Sequence, residues 1–103
     1  MEATIWWEKK GIEAYKTLID GLNEALLEEE TTDIQLLFAY PLLKLAEIEK
    51  ANYFGYIDRY YNYNTAIELV KKVLENVKKH GVAYFMKDKV EEIEKTLKDM
   101  GVL

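Results

Sequence analysis

Apolar residues recur along the chain at intervals of three and four, the period of an α-helix with one buried stripe. The first run, Ile12, Tyr15, Ile19, Leu22 and Leu26, predicts a helix over roughly residues 4–29. Gly11 and Gly21 lie inside it. Each costs a helix interior about 1 kcal/mol relative to alanine, so each marks either a close approach by a neighbouring helix or a tolerated weakness.

Thr32 with Gln35 three residues on reads as a capping box, and Asp33 adds a favourable charge at the positive end of the helix dipole. A second helix is expected from Asp33 to somewhere between Asn52 and Tyr61. Ile34, Leu37, Phe38, Leu42, Leu45 and Ile48 supply its apolar surface. Pro41 removes a hydrogen bond to the Leu37 carbonyl and crowds that turn, which predicts a kink or break. A single kinked helix reaching Tyr61 is the favoured reading, with a break at Asn52–Gly55 as its rival.

Asn62-Tyr63-Asn64-Thr65 reads as a turn, with Thr65 and Glu68 as the next capping box. Ile67, Val70, Val73 or Leu74, and Val77 form the third stripe. Lys78-Lys79-His80-Gly81 is a strong helix stop: cations at the negative end of the dipole, then a glycine suited to the left-handed position. The last helix is expected from Val82 or Ala83 to Met100. Its stripe is Met86, Val90, Ile93, Leu97 and Met100, and Gly101 ends it. The fold class that follows is all-α: one compact bundle of about four antiparallel helices, spanning residues 1–103 as a single domain.

At 103 residues and net charge -5, such a chain has little apolar surface to spare beyond its core. The acids concentrate early: residues 1–52 hold 11 acids and 5 bases, residues 53–103 hold 8 and 9. No apolar stretch approaches the ~20 residues of a membrane span, and the N-terminus has no basic leader, so a cytoplasmic protein is expected.

Candidate chemistry is thin. The chain has no cysteine and no serine, which removes thiol and serine nucleophiles and thiolate metal sites. His80 is its one histidine and has no carboxylate one turn away in its own helix. No glycine-rich phosphate loop is present. No cofactor, metal site or catalytic residue is assigned, and we expect no enzymatic activity. An active site assembled at a subunit interface stands as a remote alternative.

What remains are surfaces. Tyr53, Tyr56, Tyr60, Tyr61 and Tyr63 cluster around Arg59, and tyrosine suits half-buried interfaces. Adjacent Trp6 and Trp7 cannot both enter one helical stripe. These eight residues are the interface candidates, against the alternative that the tyrosines merely fill a bundle end. Lys71, Lys72, Lys78 and Lys79 are possible phosphate contacts. The expected role is that of a small helical interaction protein, a homo-oligomer (dimer favoured) or an accessory subunit. Single-stranded nucleic-acid binding through the tyrosine segment and the lysines is the alternative.

Overall fold

The computed structural model describes the backbone of residues 2–52 and 60–103 and the side chains of residues 13–50 and 63–103. Four α-helices make up the fold: α1 (Glu2–Ala25), α2 (Thr32–Asn52), α3 (Tyr60–His80) and α4 (Lys87–Asp99), the last preceded by a 3₁₀ turn at Tyr84–Met86. Successive helices alternate in direction. Contacts between Asp33 and Ala83 at one end, and between Lys50 and Met100 at the other, show that α4 runs parallel to α2. Helix α2 is the hub, packing against α1, α3 and α4.

The stripes expected for the first, third and last helices supply core residues, but the second does not as read. Of Ile34, Leu37, Phe38, Leu42, Leu45 and Ile48 only Leu42 is buried, because α2 is turned so that Leu36, Ala39, Leu43 and Ala46 face inward. Tyr15 and Leu22 come from α1, with Leu36, Ala39, Leu42, Leu43 and Ala46 from α2. Helix α3 gives Ala66, Ile67, Val70, Val73 and Leu74, and the C-terminal segment gives Met86, Ile93, Leu97 and Met100. The stripe predicted for the last helix is buried apart from the half-buried Val90. Both predicted glycine stops take positive φ, 78° at Gly81 and 75° at Gly101. The Gly81 N–H reaches the Val77 carbonyl at 2.8 Å. Gly101 and Val102 bond back to Lys98 and Leu97, which completes a Schellman closure of α4.

Several boundaries differ from the periodic reading. The last α-helix begins at Lys87, after the 3₁₀ turn, not at Val82 or Ala83. Helix α1 ends at Ala25, not near residue 29. The last turn tightens, and the Thr31 hydroxyl donates to the carbonyls of Ala25 (3.1 Å) and Glu28 (2.8 Å). The expected capping box at Thr32 does not form. Its hydroxyl donates instead to the Gly81 carbonyl at 2.7 Å, and the Gln35 amide donates to the Glu28 and Glu29 carbonyls. The expected turn at Asn62–Thr65 lies inside α3, because Tyr63 and Ala66 extend the buried stripe by another turn. A single helix from Asp33 to Tyr61 is likewise excluded, since Tyr60 already belongs to antiparallel α3. The rival break at Asn52–Gly55 falls largely outside the described residues.

Pro41 does not interrupt α2. Pro41 lies one turn from exposed Leu37 on the outer side of the helix, so water can solvate the carbonyl that the proline leaves free.

Gly21 marks a close approach of helices, whereas Gly11 has no described side-chain surroundings. A Cβ at residue 21 would sit 2.3 Å from Cε1 of Phe38 on α2. Overpacking costs about 1–3 kcal/mol and outweighs the ~1 kcal/mol of helix propensity that alanine gains. Gly21→Ala should therefore destabilise the protein by about 1–2 kcal/mol in urea titrations. In a Phe38→Leu background the same change should become neutral or stabilising; a stabilising Gly21→Ala in the wild-type background would contradict the contact.

Candidate interaction surface

A helix that packs on three sides of its circumference has one side left. On α2 the residues turned inward are Gln35, Leu36, Ala39, Leu42, Leu43 and Ala46. The opposite side carries Ile34, Leu37 and Ile48, which are 50%, 61% and 43% exposed, with Pro41 and Leu45 half-buried between them. An amphipathic surface helix places polar residues there. On α2 that side is apolar, and Leu27, at the start of the α1–α2 connection, is exposed as well. A shallow groove of about 270 Å³ lies between Leu27 and Ile34, walled by Glu24, Ala25, Glu28 and Thr31.

One flank of this face is fastened to α4. The Tyr40 hydroxyl donates to both Glu92 carboxylate oxygens at 2.9 Å, and the Lys44 ammonium donates to Glu92 at 3.1 Å. The Lys89 ammonium stands 4.3 Å from the centre of the Tyr40 ring, in cation–π contact. The hydrogen bond to Glu92 pushes the Tyr40 phenol pKa up, and Lys44 holds the Glu92 carboxyl below the ordinary glutamate value. Glu92 thereby joins Tyr40 and Lys44 of α2 to α4 as a clamp between helices.

At the start of α4 the 3₁₀ turn projects Tyr84 and Phe85, 86% and 78% exposed. Beside them runs a groove of about 410 Å³ lined by Val77, Gly81, Val82, Val90, Lys87 and Glu91. Its walls are apolar, with one opposite-charge pair at the edge and no nucleophile facing a base. Nearby, Glu29 Oε2 accepts from Lys79 at 3.0 Å and lies 3.2 Å from His80 Nε2. Lys79 and then His80 lower the Glu29 pKa. His80, expected to cap the end of its own helix, thus meets the α1–α2 connection through Glu29.

Of the interface candidates, Tyr63 is buried, 8% exposed, on the core side of α3. Trp6 and Trp7 belong to α1, and Tyr60 and Tyr61 open α3, but their side chains lie outside the described residues. Tyr53, Tyr56 and Arg59 lie outside them entirely. Lys72, Lys78 and Lys79 are exposed on α3 and Lys71 is half-buried; Lys79 is engaged by Glu29. Periodicity counts Ile34, Leu37 and Ile48 toward the apolar stripe of the second helix, whereas they are exposed, and it passes over Tyr84 and Phe85. For Tyr84 and Phe85 a signal existed: both fall off the Met86–Met100 stripe, so a helix using that stripe must leave them outside.

Where α1, α2 and α3 meet, Tyr15 is buried with its hydroxyl beside Glu49. Burial, and then the charge of Glu49, raise its phenol pKa far above the ordinary value; the same two causes raise that of Tyr63. Among the described residues no group of three histidine, cysteine or acidic side chains is placed to hold a metal ion. No helix of the described residues is long and apolar enough to cross a membrane. Comparison with protein-family models, curated proteins and solved structures finds no match to this chain.

The Tyr15 environment sets an alkaline limit. The folded chain keeps a proton that the unfolded chain releases above about pH 10, so this contribution is full below that pH and is lost above it. Tyr15→Phe should change stability near pH 7 by about 1 kcal/mol or less, since the lost contact with Glu49 is offset by no longer burying a hydroxyl. It should also make the fall in stability above about pH 10 shallower. Urea titrations across that range check both; a marked loss of stability near neutrality would contradict the environment described.

Proposed function

We propose that this chain is a small helical interaction protein without catalysis of its own, a self-associating unit or an accessory subunit, and that the outer face of α2 is where it docks. The observation that carries this reading is the apolar outer side of α2, the helix that packs against each of the other three. A chain this short has few apolar residues to leave in water unless they have a use there. Three exposed aliphatic residues along one helix line amount to a few hundred Å² of contiguous apolar surface, the scale that marks interaction sites.

The chemistry of the remainder supports the same reading. Tyr40, Lys44 and Glu92 satisfy one another, and the α3–α4 groove presents apolar walls rather than reacting groups. Tyr84 and Phe85 supply further amphipathic contact area of the type that interfaces favour.

Leu37→Glu tests the docking face. Leu37 is exposed, so the substitution should leave helical content unchanged and alter stability by less than about 0.5 kcal/mol. It should abolish the associations of the wild-type protein, whether with itself or with a co-purifying subunit, in light scattering and affinity capture. A folded Leu37→Glu protein that keeps every wild-type association would overturn the assignment of the face.

A further inference from the structure

We propose that the outer face of α2 pairs with the same face of a second copy of the chain, the two helices antiparallel and related by a two-fold axis at Pro41. This rests on the reading that the face is a docking surface, and adds its occupant and geometry.

The spacing of the residues carries the inference. Ile34, Leu37, Pro41, Leu45 and Ile48 stand seven and four residues before Pro41 and four and seven after it. Steps of three and four keep all five on one line of a helix. The series is the same read from either end. An antiparallel copy therefore sets Ile48 against Ile34, Leu45 against Leu37, and Pro41 against itself. A two-fold axis sets each position of the line against its mirror position on the other copy, and here every such pair is apolar and matched in size.

The flanking chemistry agrees. Pro41 at the centre has an apolar ring and no backbone N–H, and an interface this small leaves the Leu37 carbonyl that the proline frees within reach of water. Lys44, the cation closest to the line, already has its ammonium on Glu92 of α4. Antiparallel pairing also sets opposite ends of the two helix dipoles side by side. From the exposures of Ile34, Leu37 and Ile48, each copy contributes on the order of 300 Å² of apolar surface, below the roughly 800 Å² per partner of a standard interface. The dimer is accordingly a reversible one that dissociates on dilution.

The absence of native cysteine allows a direct test with the full chain. Pro41→Cys alone should form a disulfide-linked dimer under mild oxidation. Ile34→Cys alone should not, because the two copies of residue 34 lie about 21 Å apart along the paired helices. An equimolar mixture of Ile34→Cys and Ile48→Cys should link, as should Leu37→Cys mixed with Leu45→Cys, which keeps the test independent of the proline. Sedimentation of the unmodified protein should show a concentration-dependent dimer whose association constant falls at least tenfold in Leu37→Glu. Linking by Ile34→Cys alone at the rate of Pro41→Cys, linking by Phe85→Cys in place of all of these, or a strict monomer at high micromolar concentration would each overturn the pairing. A monomer that still binds another subunit in a Leu37-dependent way removes the second copy and leaves the docking face standing. A monomer whose other associations ignore Leu37 removes both.

Discussion

The buried side-chain amide of Gln35 is the joint on which this bundle turns. Its Nε2 donates to the carbonyls of Glu28 (3.0 Å) and Glu29 (3.1 Å), and its Oε1 accepts from Asn76 Nδ2 at 3.1 Å. Gln35 is fully buried and Asn76 nearly so. One amide thereby closes the α1–α2 connection onto α2 and joins α2 to α3. A buried amide that loses its partners costs about 1–3 kcal/mol, so the bridge penalises any rotation of α2 about its own axis. Around it, Thr32 holds the Gly81 carbonyl and Asp33 accepts from the Ala83 N–H at 3.0 Å. The connections at this end of the bundle are thus fastened to the first turn of α2.

Fixing the rotation of α2 decides which of its apolar residues face water. With Gln35 inward, Leu36, Ala39, Leu42, Leu43 and Ala46 follow it into the core, and Ile34, Leu37 and Ile48 are turned out. The apolar residues of α2 leave too little periodic contrast to set this orientation; the polar joint does. The exposed face therefore follows from the geometry that stabilises the fold. The Tyr40–Lys44–Glu92 clamp then holds α4 along one flank, so that α4 does not cover it.

Legibility in the sequence tracked periodic contrast. The Met86–Met100 stripe was plain because charged residues fill the rest of that helix, and Gly81 and Gly101 were plain because a left-handed stop has few alternatives. Gly21 stood out, but only packing identified Phe38 as its neighbour. Gln35 drew notice for the wrong reason: a local box was expected, while its true partners include Asn76, 41 residues away. Thr65 with Glu68 imitated a helix start because capping residues also occur inside helices, and buried Tyr63 and Ala66 outweighed them. The outer face of α2 was hidden by its own composition, since an apolar run on every side does not say which side is covered.

The most direct test of this account is a double-mutant cycle on Gln35→Leu and Asn76→Leu, read by urea unfolding. If the amide bridge fixes α2, each single change costs about 2–3 kcal/mol and the pair costs less than the sum by 1 kcal/mol or more, roughly. Two small, additive effects would contradict it, and would mean that apolar packing alone orients the helix.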